Sequence, residues 1–208
     1  MTDTNQPKGT YCEVYDEPRH RFHIRNPYVN AYDIQLPTQN ITEFHRHCED
    51  TVYFVIADAQ VEESFHDKAT IRTVAPCGGT LDRAHRDEPL IHQVKNVGGG
   101  VMHMVGAEAL KRPPVGNVAS ISNPSHTELW ESKRFRVYKV AADESSESII
   151  YDGYGLLVSL DSCVVQLGSS DGAGVATTRL HPGGFIWIEP QLSVKIGGNF
   201  RGFFAQWI

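Results

Sequence analysis

Apolar and polar residues along this chain alternate at intervals of two, and the three- and four-residue spacing of a helix is almost absent. Side chains on a strand point alternately to opposite faces, so this pattern predicts strands. YCEVY (11–15) reads as a short edge strand, and YVNAYDIQL (28–36) as a longer one closed by the turn PTQN. The apolar run Thr51 to Ile56 follows, then AQVEESF (59–65) and ATIRTV (69–74), separated by short Asp-containing turns and a break at CGG (77–79). GTLDRAH leads into EPLIHQVKNVGGG, and VMHMVGAEAL closes the series. Only two stretches, AEALK (107–111) and HTELWES (126–132), invite a helical reading, and both are short. Strands of this length with frequent turns indicate a β-sandwich or small barrel.

Residues 111–125, KRPPVGNVASISNPS, carry three prolines and few periodic apolar positions, which marks a linker. Beyond it the strand pattern restarts with RFRVYKV, SIIYDGYGLLVSL, CVVQLG and two closing strands. The expected organisation is two domains, 1–112 and 113–208, the second a worn copy of the first. YDGYGLLVSLDSCVVQL can be laid over HRHCEDTVYFVIADAQV, and EPQLSVKIGG over EPLIHQVKNVG.

The 40% hydrophobic content is enough for a core, and 18 glycines and 11 prolines suit a turn-rich β protein. A net charge of −6 argues against an electrostatic footprint for nucleic acid or an anionic membrane. The polar start has no apolar segment of the kind that directs export, and no run approaches the roughly 18 apolar residues that span a bilayer. The expectation is a soluble, cytoplasmic protein, in which four scattered cysteines stay reduced.

Candidate chemistry concentrates at His45 and His47, two apart just ahead of the run Thr51 to Ile56. On a strand both imidazoles project from one face and make half of a site for Zn, Fe, Ni or Cu. A third ligand follows at His92, far enough away to lie on another strand of the same sheet. Cys48 has the opposite parity and should point away. His20 and His23, in the charged run EPRHRFHIR, are expected on the surface.

HxH followed by a strand, a Gly-rich turn and then P-x-x-H-x-x-x-N resembles the two motifs of the cupin superfamily. The matching residues are His45, His47, Pro89, His92, Asn96 and Gly98. The resemblance covers about 43–105 well and the second half in outline. It implies two cupin (double-stranded β-helix, jelly-roll) barrels in tandem, all-β, with a degenerate, metal-free second barrel. Cupins usually carry a glutamate ligand four residues after the second histidine, where this chain has Thr51. The implied ligand set is His45, His47 and His92, as in cupin dioxygenases that hold Fe(II) with three histidines. Glu49, reaching in by a local bulge, is the alternative source of a carboxylate.

On that resemblance Tyr53, which shares parity with the histidine pair, places a phenol near the metal. His103, on the next strand, could serve as acid, base or support to a ligand. The function implied is a non-haem Fe(II) dioxygenase, an oxidoreductase acting on a small molecule with one divalent metal. The alternatives are a Zn-, Ni- or Mn-dependent lyase or isomerase, and a non-catalytic small-ligand-binding cupin. Analogy with cupins makes a homodimer plausible while the oligomeric state stays open, and neither nucleic acid nor membrane is expected as a partner.

Overall fold

The structure is a computed structural model that describes residues 10–114, 118–143, 145–169 and 174–208. Residues 1–9 of the polar start and 115–117 of the expected linker lie outside the described residues. The chain divides between Leu110 and Lys111 into two compact units.

The first unit holds β1 (Cys12–Glu13), β2 (His20–Arg25), β3 (Val29–Leu36), β4 (His45–His47) and β5 (Thr51–Ala57). It continues with β6 (Ala59–Phe65), β7 (Ile71–Ala75), β8 (Thr80–Arg83), β9 (Leu90–Asn96) and β10 (Met102–Ala109). They form two five-stranded sheets, in the orders β1-β4-β9-β6-β7 and β2-β3-β10-β5-β8. Apart from the consecutive pairs β2-β3 and β6-β7, neighbours in each sheet come from distant parts of the chain, as jelly-roll winding requires.

The alternation read from the sequence decides what faces inward. Tyr32, Ile34, Leu36, Tyr53, Val61 and Met102 are all buried in one cluster. On β10, Met102, Met104 and Gly106 share a face. Gly106 has no room for a side chain, because a Cβ there would stand 2.5 Å from the Tyr32 ring. The Asn96 of the resemblance is fully buried, and its Nδ2 donates to the carbonyls of Leu36 and Gly100, both at 2.8 Å. Its Oδ1 accepts from the Gly98 N–H at 2.9 Å. That amide satisfies the turn after β9 and fastens it to the end of β3.

The second unit consists of β11 (His126–Glu131), β12 (Phe135–Ala142), β13 (Ile149–Ile150), β14 (Gly155–Ser159) and β15 (Cys163–Ser169). β16 (Val175–Leu180), β17 (Phe185–Ile188), β18 (Leu192–Gly197) and β19 (Phe200–Trp207) complete it. Its sheet order β11-β12-β19-β14-β17 repeats β2-β3-β10-β5-β8, and β13-β18-β15-β16 repeats β4-β9-β6-β7. The two stretches read as helical belong to β10 and β11, and the described residues contain no helix. Ladder pairing overrides the local helix preference of AEALK and HTELWES.

In the first unit His45 lies opposite His92; in the corresponding strands of the second, Ile149 lies opposite Val194.

Candidate metal centre

β4 is three residues long, with His45 and His47 buried and Arg46 between them turned outward. Arg46 is tied by an ion pair to Glu13 on β1. This alternation puts both imidazoles inside the first unit, where antiparallel pairing of β4 with β9 sets His92 beside them. Ring centroids are 4.9 Å apart for His45 and His47, 4.7 Å for His45 and His92, and 5.2 Å for His47 and His92.

His20, expected on the surface, is buried and belongs to the same cluster. It opens β2 in the other sheet, and its ring lies 4.6 Å from His45 and 5.7 Å from His47. One nitrogen each of His20, His45 and His47 falls within 4.8 Å of the others, a group of candidate ligand atoms that does not include His92. The signal was present in the sequence, since His20, Phe22 and Ile24 share the inward parity of β2.

Each of these four imidazoles is held from behind. Nδ1 of His20 contacts Glu17 Oε2 at 2.9 Å, and Nδ1 of His45 contacts the Glu43 carbonyl at 2.8 Å. Nδ1 of His47 stands 3.4 Å from the Tyr53 hydroxyl, and Nδ1 of His92 stands 3.3 Å from Glu63 Oε2. For His20, His45 and His92 a carboxylate or carbonyl accepts the Nδ1 proton, which leaves Nε2 with its lone pair free. The Nε2 of His45 is buried with no hydrogen-bond partner. A buried lone pair of that kind is the opening a metal ion fills, and imidazoles backed by carboxylates or carbonyls are the usual arrangement for binding one.

Burial and the neighbouring imidazoles hold His45 and His47 well below the ordinary histidine pKa, so both are neutral as ligation requires. Burial pushes the Glu17 carboxyl up. Hydrogen bonds from His20 and from the Arg19 and Glu43 backbone outweigh this and hold it ionised, below the usual carboxylate range.

The remaining sequence candidates fall into place around this centre. Tyr53 lines the cavity in front of the imidazoles. Thr51, in the place of the usual glutamate, is buried and donates its hydroxyl to the Glu49 carbonyl at 2.7 Å. Glu49 accepts from Arg86 Nε at 2.6 Å. His103 alternates with Met102 and Met104, which line the cavity, and so projects from the opposite face of β10; its Nε2 is 3.8 Å from Asp33 Oδ2. The structure does not bring it to the histidines. His85 does line the cavity, stacked on His47 with centroids 5.1 Å apart, and burial lowers its pKa to about 4.

The cavity has a volume of about 130 Å³ and apolar walls that include Ile34, Val61, Leu81, Leu90, Met102 and Met104. Among the described residues no helix is long and apolar enough to cross a membrane.

No family model and no curated protein matches the sequence. Solved structures match the fold. The chain is similar to a cupin 2 conserved barrel domain protein from Leptotrichia buccalis, at 8% identity over 90% of this chain and 87% of that one, with a TM-score of 0.52. It is similar to a salicylate 1,2-dioxygenase variant from Pseudoaminobacter salicylatoxidans in complex with gentisate, at 12% identity, 90% and 73% coverage, and a TM-score of 0.61. An oxalate decarboxylase matches 99% of this chain and 78% of its own, at 10% identity and a TM-score of 0.59.

Proposed function

For a chain that carries the cupin fold twice in tandem, we propose a metal-dependent enzyme: a non-haem Fe(II) dioxygenase acting on a small molecule. The observation that carries this reading is the set of four imidazoles in the first unit, each with a neighbour at Nδ1, and the buried Nε2 of His45 that has no hydrogen-bond partner among the described residues. His45, His47 and His92 are the proposed ligands, and His20 is the fourth, in place of the glutamate that Thr51 does not supply. Imidazole donors suit a first-row transition ion such as Fe(II), Zn, Ni or Mn better than Ca or Mg, which prefer oxygen ligands. When bound, the metal supplies Lewis acidity and, if it is iron, electron exchange with O₂.

The chain's own part is to position and to exclude. Glu17 and Glu63 fix the His20 and His92 rings and offset part of the metal's charge. The apolar walls keep water from the face where substrate would lie. The Tyr53 phenol stays protonated, its pKa raised by burial, and can donate a hydrogen bond to a bound oxygen atom. Salicylate 1,2-dioxygenase shows that this fold can host such chemistry. The likeness to oxalate decarboxylase favours a second reading, a lyase in which a Zn, Ni or Mn ion acts as a Lewis acid alone.

The deciding experiment is metal analysis of protein purified without added metal, followed by oxygen-electrode screening of thiols, diketones and catechol-like compounds. Iron with substrate-dependent O₂ uptake supports the dioxygenase. Bound zinc, nickel or manganese without O₂ uptake supports the lyase, and metal-free protein that takes up none on incubation overturns both.

A further inference from the structure

The wall of the cavity carries one permanent positive charge among the described residues, and its placement is systematic. Leu81 pairs with Tyr53 and Arg83 with Thr51 in the β5–β8 ladder. Leu81, Arg83 and His85, spaced by two, all line the cavity. The acidic groups near the imidazoles are already engaged, Glu63 with His92 at 3.3 Å and Glu17 with His20 at 2.9 Å. The Arg83 guanidinium instead donates to the neighbouring Asp82 carbonyl at 3.1 Å and forms no ion pair among the described residues.

The charge balance points to an anion. Imidazole ligands bring no negative charge to a divalent ion, and Glu17 and Glu63 offset that charge only from behind His20 and His92. Arg83 adds a further positive charge at the exposed rim of a cavity lined by apolar side chains and imidazoles. An anionic group entering there is attracted by both charges. The size is restrictive as well. A volume of about 130 Å³ is close to the roughly 150 Å³ engineered cavity that accommodates benzene.

On the reading that the imidazoles hold a metal, we propose that Arg83 anchors the carboxylate of a small monocarboxylate, one ring or a short branched chain in size, whose apolar body fills the cavity. The planar guanidinium matches a carboxylate in a two-point contact that a lysine cannot reproduce.

Benzoate and its neutral isostere benzamide test this by calorimetric titration into the metal-loaded protein, the metal-depleted protein and Arg83→Gln. Benzoate should bind the loaded protein at least about tenfold more tightly than benzamide. Arg83→Gln should abolish that preference with metal content and circular dichroism unchanged, and Arg83→Lys should recover part of it. A preference that persists in metal-depleted protein and disappears in Arg83→Gln supports the Arg83 anchor even if the metal reading fails. Failure of benzoate to bind, equal binding of the two probes, or a preference unchanged in Arg83→Gln overturns the proposal. A preference lost on metal removal but retained in Arg83→Gln assigns the anion to the metal and overturns it too.

Discussion

The ring of His20 lies 4.6 Å from that of His45, although the two residues belong to strands of different sheets. Their nitrogens come within 4.8 Å of one another and of His47. If His20 is a ligand, His20→Gln, which keeps a donor for the buried Glu17, should lose metal as completely as His45→Ala. Elemental analysis after dialysis against a weak chelator checks this. A full complement of metal in His20→Gln would reduce the site to three histidines.

Glu49→Gln is the matching control. Glu49 is engaged with Arg86 and presents its backbone carbonyl to Thr51, so the side-chain change should leave metal content as it is. Loss of metal in this variant, with His20→Gln unaffected, would mean that Glu49 swings in as the fourth ligand and that the present assignment is wrong.

Tyr53→Phe removes the hydroxyl that stands 3.4 Å from His47 Nδ1. Groups that orient ligands in this way typically contribute about 10–100-fold in metal affinity, and the long contact here favours the lower end. A competitive chelator titration should show roughly tenfold weaker binding. An unchanged affinity would confine Tyr53 to the cavity wall.

The second unit should be acid-labile through His126. This histidine is buried, within 3.0 Å of both the Ser125 and Tyr151 hydroxyls, and burial lowers its pKa to about 4. As pH falls through the ordinary value near 6.5, the unfolded chain takes up the proton first, so stability is full above about 6.5 and declines toward pH 4. The shift corresponds to roughly 3 kcal/mol over that window. Trp130, Trp187 and Trp207 all lie in this unit, so tryptophan fluorescence in urea reports on it selectively. The transition midpoint should drop between pH 7 and 4, and His126→Gln should flatten that dependence. An equal slope in the variant would place the acid sensitivity elsewhere.

The fold was largely legible because its signals are local. Alternation along YVNAYDIQL and the HxH pair each need only a strand to give them meaning, and the motif residues Asn96 and Gly98 sit in the turn that such a motif builds. Local propensity in HTELWES invites a helix, and the ladder to β12 makes it a strand. His20 was missed for a related reason. The charges of EPRHRFHIR suggested solvent, whereas His20, Phe22 and Ile24 follow the inward parity and the arginines the outward one. His103 erred the other way, since being on the next strand says nothing about facing until Met102 and Met104 are known to line the cavity. Glu17, Glu63 and Arg83 carried no signal at all, because which charged residue backs a histidine or rims a cavity is settled by tertiary register.

The pairing of His45 opposite His92, with His20 arriving from the second sheet, also governs when a metal could enter during the life of the chain. A polypeptide leaving the ribosome exposes the His45–His47 pair well before His92 is made, and two imidazoles on a floppy segment hold an ion weakly. The proposed centre comes into being only once β2, β4 and β9 have closed on one another, contacts that span long stretches of chain and therefore form late. Metal would then act on the finished barrel as a latch. Refolding followed by far-ultraviolet circular dichroism should proceed at the same rate with or without it, while unfolding of the first unit should slow as the ion is added.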